Sequence, residues 1–323
     1  MSAMLTDAVA GEELRVGGVP RFILWSTGLL LVAGTVSAIA WSSSSDVRWL
    51  RLFFAYPGAL FFLGCSGIQL WFSFQSWRSF SPGDLLRPAW FLITIAAVLQ
   101  LAGGLLAQWL GLESLLNPLM LLPPAQREPL LQQALEMSEL FSPFYMVFLA
   151  CGLAYVLRAC RQNGILGRLK TIDFILLGLV FAYTVSFFAT IVLSPEHGGR
   201  VLGLHAFISW ASDPLLCLLL FQAILIRRST ANLGWGLVSR CWICFTTAIF
   251  LTSVGDIGLW ASSKGYLPPF LSIASWYVWF LASAAYAMGP AYQSQAMLRA
   301  MRGQIRTLQR EPDGVANPAL RTN

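Results

Sequence analysis

Three ionisable side chains, His205, Asp213 and Asp256, sit inside stretches of sequence that are otherwise almost wholly apolar. A carboxyl group in hydrocarbon costs about 2.5 to 3.5 kcal/mol even on the lenient insertion scale, so each such acid is a site to be explained. Two chemistries are open to them. As a polar cavity opening outward, His205, Asp213 and Asp256 would bind a ligand or handle a proton, with Trp210, Ser212, Tyr183, Ser275, Trp276 and Tyr277 as its walls. As helix glue, Asp213 would donate to the backbone carbonyl that the ring of Pro214 sets free one turn earlier. Counting residues places Asp213 near the middle of its apolar stretch. His205 and Asp256 fall near the outer ends of consecutive antiparallel stretches, where an imidazole could meet a carboxylate. Asp173 lies two residues inside an apolar boundary, within reach of headgroups or Lys170.

Other chemistry has little to stand on. The sequence has no Gly-rich phosphate loop, no H-E-x-x-H and no G-x-S-x-G, and its two histidines are too few for haem or multi-histidine membrane chemistry. Cys241-Trp-Ile-Cys244 has the C-x-x-C spacing, yet zinc would need two further ligands that no neighbouring residue supplies, and the six cysteines read as packing residues. Gln69, Gln100 and Gln108 read as interhelical hydrogen-bonding amides. No cofactor is expected.

The elements that must position these residues are set by composition. Apolar types fill 57% of 323 positions and charged types 11%, whereas a soluble domain carries about 25% charge. The apolar residues gather in blocks of about 20, the length at which a helix rising 1.5 Å per residue spans a hydrocarbon layer about 30 Å thick. Eight blocks can be read: Phe22–Trp41, Leu52–Phe74, Ala89–Leu110, Pro143–Leu157, Thr171–Leu193, Val201–Ile226, Cys241–Ala261 and Leu267–Met288. The fold class is therefore all-α, a polytopic membrane bundle of about eight transmembrane helices. Residues 1–21 form a leading segment, 22–289 the membrane domain and 290–323 an amphipathic helix with a tail.

With the N-terminus inside, 16 of the 21 basic residues fall on the cytoplasmic side, and the opposite orientation would invert the ratio. Both termini are thus expected in the cytoplasm of a cell whose inner membrane holds the protein. The net charge of +6 is accounted for by this topology and by anionic lipid, and nucleic acid is not an expected partner. Ala38-Ile39-Ala40 resembles a signal-peptidase site, but Glu12 and Glu13 and the long apolar stretch argue against cleavage there.

One connection is long, Gly111–Ser142, and its stretch from Glu128-Pro129 reads as a short amphipathic cap on the outer surface. Laying the chain on itself with an offset of 152 puts Trp90, Thr94, Ala96, Leu99 and Gly103 on Trp242, Thr246, Ala248, Leu251 and Gly255. That predicts a 4+4 parallel repeat with halves 22–160 and 171–289, and argues against inverted-repeat transporters. After Gly289 and Pro290, Met297, Leu298, Met301, Ile305 and Leu308 line one side of a basic amphipathic helix, a surface for lipid or a cytoplasmic partner.

The last four spans contain Ser209-Trp-Ala-Ser-Asp213-Pro-Leu-Leu216 followed by Arg227-Arg228, then Thr252-Ser-Val-Gly-Asp256-Ile-Gly-Leu-Trp260, then Ser275-Trp-Tyr-Val-Trp279. In pattern this resembles the multi-helix membrane input modules that precede diguanylate-cyclase or histidine-kinase domains in bacterial signalling proteins. The resemblance covers about 90 residues and implies a sensor whose output, since none follows the last helix here, comes from a separate cytoplasmic partner. Function is accordingly expected to be non-enzymatic: binding of a small ligand and signalling to that partner. The alternatives are a membrane-embedded lipid-modifying enzyme with Asp213 and Asp256 as acid and base, and a small proton-coupled transporter.

Overall fold

A computed structural model of the 323-residue chain describes residues 2–44, 48–116, 141–192, 204–231, 236–263, 265–267 and 270–310. Among these the chain is helical almost throughout. The helices are α1 (Ser2–Ser44), α2 (Arg48–Phe53), α3 (Ala59–Ser79), α4 (Leu86–Leu116), α5 (Phe141–Gln162), α6 (Thr171–Val192), α7 (Leu204–Ala231), α8 (Leu237–Ser263) and α9 (Phe270–Arg310). A π-helical turn, Phe54–Gly58, joins α2 to α3 around Pro57, whose missing N–H breaks the regular ladder. Among the described residues seven helices are long and apolar enough to cross a membrane, and the chain is a multi-pass membrane bundle.

The fifteen-residue apolar run from Pro143 sits in a helix of 22 residues, because Arg158 and Arg161 ride exposed on its last turns. The eighth span is also part of something longer. Instead of ending near Gly289 and Pro290, where the sequence suggested a new helix, α9 continues without a break for 41 residues, about 60 Å. Gly289 is needed there for close approach, since a Cβ would meet the Phe245 ring and the Cys241 carbonyl of α8. α1 is equally long, at 43 residues, and the two run antiparallel in contact. Glu13 bonds Arg299, Val16 packs with Ala291, Ile23 with Ala287, and Gly34 lies under the Tyr277 ring.

α9 is the central element, packed on α8, α1 and α3. The core gathers where Trp90 of α4 meets Trp242 and Phe245 of α8, with ring centroids 6.2 Å apart in both contacts, and Tyr286 of α9 packs on Phe245.

The neighbour relations of α3, α4 and α5 recur in α7, α8 and α9. α4 packs on α5 as α8 packs on α9, α3 on α4 as α7 on α8, and α3 on α9 as α7 on α5. The detail recurs too. A Cβ at Gly152 of α5 would meet Ile93 and the Ala89 carbonyl, and one at Gly289 of α9 would meet Phe245 and the Cys241 carbonyl. Ile93 and Ala89 stand 152 positions before Phe245 and Cys241. Thr94 and Thr246 likewise each bond the carbonyl four residues back, at 2.7 and 2.8 Å. The peripheral helices differ: α1 lies along α9, whereas α6 has α7 as its main neighbour. The surface cap expected over 128–138 lies outside the described residues.

Candidate functional site

Asp213 reaches the interior because α7 presents it opposite α8, and Asp256 reaches the same place from α8. Counting helix rise from Arg227 and Arg240 at the basic side of the bundle puts the acids about 21 and 24 Å along their helices, at similar levels. The two carboxyl groups are close enough to interact electrostatically. Asp213 is 7% exposed and its Oδ2 has no hydrogen-bond partner. Asp256 is half-buried and its Oδ1 accepts a hydrogen bond of 3.0 Å from the Trp279 indole of α9. The indole lies directly on α8 because residue 255 is glycine; a Cβ there would collide with it.

Three phenols stand within electrostatic range of one or both acids. Tyr183 of α6 interacts electrostatically with both acids and packs edge-on against Trp260 of α8 at 5.7 Å. Tyr145 of α5 and Tyr286 of α9 both interact electrostatically with Asp256, and their hydroxyls bond the side chains of Ser142 and Thr252. One indole of α9 therefore bonds Asp256, and phenols of α5, α6 and α9 stand within electrostatic range of the acids of α7 and α8.

Among the described residues the hydrogen-bond partner of Asp256 is an indole of α9, and the expected imidazole contact falls on a side chain outside them. His205 stands eight residues outward of Asp213 on α7, about 12 Å along the helix, and its side chain and that of Trp210 lie outside the described residues. Ser212 is half-buried beside Asp213 in sequence, and Ser275 is buried on α9, where Gly258 of α8 packs against its hydroxyl. Tyr277 belongs elsewhere. Two residues from Trp279, it faces the opposite side of α9, its ring stacked on Phe53 at 6.0 Å and over Gly34 of α1, with a buried and unbonded hydroxyl. Trp276 packs on Phe54 and on the Trp279 ring, 42% exposed. The reading of residues missed Tyr145, Trp279 and Tyr286; the available signal was that phenols and indoles deep in an apolar span need a hydrogen-bonding partner.

Asp173 meets Lys170 as expected, and Arg228 besides. It accepts from Arg228 Nε and Nη2 at 3.0 and 2.8 Å and from the Lys170 backbone N–H at 2.8 Å, so it clamps α6 to α7 at the basic side. Gly167 N–H, donating to Ser229 Oγ at 2.8 Å, ties the connecting segment to the same place. Cys241 is fully buried in helix packing and Cys244 half-buried, and among the described residues no group of His, Cys, Asp and Glu is arranged to hold a metal ion.

Comparison of the chain with protein-family models, curated proteins and solved structures finds no match.

What the cluster can do follows from its groups. Two acids within electrostatic range in a low-dielectric interior repel each other when both are charged, so a proton or another cation shared by them is favoured. Aromatic faces around carboxylates are the usual setting for an ammonium group.

Proposed function

We propose that this chain is a non-enzymatic membrane module that binds a small cation between Asp213 and Asp256 and passes its occupancy to a cytoplasmic partner through α9. The observation that carries the reading is the Trp279 to Asp256 hydrogen bond. It places one acid in direct contact with a helix that runs on, unbroken, to the basic side, where Arg299 and Arg302 bond Glu13 of α1 at 2.6 and 3.2 Å. Trp279 and Arg299 are twenty residues apart on that helix, about 30 Å. A change of charge or hydrogen bonding at Asp256 therefore acts on the same rigid element that presents the α1 and α9 ends to a partner. The basic side is taken as cytoplasmic on the distribution of Lys and Arg. The unbonded Oδ2 of buried Asp213 supports a bound group there, since an orphaned carboxylate oxygen in a membrane interior is expensive.

Proton-coupled transport is the second reading. It is favoured by Tyr145 and Tyr286, phenols within electrostatic range of Asp256 whose hydroxyls bond Ser142 and Thr252.

The test uses the tryptophans of the site. Purified protein in nanodiscs is titrated with alkylammonium and quaternary ammonium salts while indole fluorescence is recorded. Saturable change in the wild type, lost in Asp213→Asn and Asp256→Asn with both variants folded, is the expected result. No saturable response to any cation or to pH in the wild type refutes the reading, and steady cation flux across sealed liposomes would replace it with transport.

A further inference from the structure

On the basic side, away from the acids, a groove of about 560 Å³ lies between the projecting part of α1 and the end of α3. Glu12, Arg15 and Val16 line it from α1, and Trp71, Phe72 and Gln75 from α3. Its charged groups are uncommitted. Glu13 is drawn to Arg299 and Arg302 of α9, but among the described residues Glu12 and Arg15 form no ion pair with each other or with anything else, and the Gln75 amide has no partner. The floor is apolar, with Val16 and Phe72 buried against α9, while the rim carries Trp71, 58% exposed.

The depth of the groove identifies the layer it meets. Arg15 stands seven residues before Phe22, where the apolar span opens, about 10 Å toward the basic side along α1. That is headgroup level, and an exposed tryptophan at such a rim is characteristic of the interface. A free guanidinium and a free carboxylate on one helix face, three residues apart, complement a zwitterion. A planar guanidinium suits phosphate, and a carboxylate suits an ammonium that can still donate hydrogen bonds.

We propose that this groove is a site for a phospholipid with a primary-amine headgroup. Arg15 takes the phosphate, Glu12 the ammonium, Gln75 donates to a phosphate or ester oxygen, and the glycerol and first methylenes lie on Val16 and Phe72. The inference is independent of the acid pair. It assigns the groove to lipid, and a bound lipid there braces the projecting part of α1 against α3 beside the Glu13 contact.

Native mass spectrometry of the full chain, with phosphatidylethanolamine, phosphatidylcholine and phosphatidylglycerol of identical acyl chains, tests it. Phosphatidylethanolamine is expected to be retained at a concentration at least about fivefold lower than the other two. Arg15→Gln is expected to weaken retention of all three about tenfold, which is about 1.4 kcal/mol. Arg15→Lys should restore part of that, and Glu12→Gln should abolish only the preference for the primary amine. Leu14→Ala, outside the groove and 79% exposed, serves as the control and should change nothing. Equal retention of the three lipids by the wild type overturns the proposal, as does unchanged retention in Arg15→Gln and Glu12→Gln. Displacement of the lipid by free phosphoethanolamine at equal concentration also overturns it, because the site would then belong to a soluble compound.

Discussion

Replacing Asp173 with Asn removes one charge from the clamp between α6 and α7 and nothing else from its shape. The carboxylate is 3% exposed, accepts three hydrogen bonds, and faces an Arg228 side chain that is 19% exposed. A fully exposed pair is worth about 0 to 1 kcal/mol, and losing one partner of a fully buried pair costs about 3 to 5 kcal/mol. Asp173 is buried but Arg228 keeps some water, so the expected loss is about 2 kcal/mol, roughly a 30-fold change in an equilibrium constant. Because α6 has α7 as its main neighbour, the loss should appear as local opening of the α6 end rather than global unfolding. Amide hydrogen exchange over residues 171–175 should accelerate about 30-fold in Asp173→Asn while exchange in α8 stays put. A double-mutant cycle with Arg228→Gln should return a coupling of about 1 to 2 kcal/mol. Coupling below about 0.5 kcal/mol would refute the reasoning and make the pair an incidental surface contact.

The matched glycines give a second expectation: Gly152→Val and Gly289→Val should both lower thermal stability, by about 1 to 3 kcal/mol each, because each fills a helix contact that has no room. If only one of the two is costly, the correspondence between the halves is superficial. Topology gives a third, that a cysteine at Arg161 is closed to a membrane-impermeant external thiol reagent in intact cells while one at Tyr266 is open to it; labelling in the reverse sense would invert the assigned orientation.

The bundle was legible because the rule behind it is a length rule: about 20 apolar residues per span leave few other architectures in a chain with 11% charge. Its helix ends were less legible. Hydropathy registers where side chains become polar, and it is blind to a backbone that keeps its hydrogen bonds past that point, as α9 does through Gly289 and Pro290 and α5 does beyond Leu157. The two acids were legible for the same reason as the spans, since charge inside an apolar run is conspicuous. Their partners were not, because which residue faces Asp256 depends on how α8 and α9 rotate about their axes. That rotation is fixed by a glycine at 255, a signal visible only once the Trp279 ring is seen lying on it. Tyr277 was misassigned by the same limitation: at two residues from Trp279 it is adjacent in sequence and opposite on the helix. Asp173 was correctly placed at an end, but its bidentate partner stands 55 residues away on α7, beyond any local pattern.

The central claim is that the state of the acid pair is felt at the far end of α9. Gly17 and Gln295 face each other across α1 and α9, so that a Cβ at 17 would touch the amide of 295, and Gln295 lies sixteen residues from Trp279, about 24 Å along the helix. The measurement is the rate of oxidative bridging of Gly17→Cys with Gln295→Cys in an otherwise cysteine-free chain, with and without Asp256→Asn. The account predicts at least about a threefold change in that rate, since Asp256→Asn alters the bond that anchors Trp279, with Leu14→Ala leaving it unchanged. Identical bridging rates with Asp and with Asn at position 256, in proteins of equal thermal stability, would contradict it.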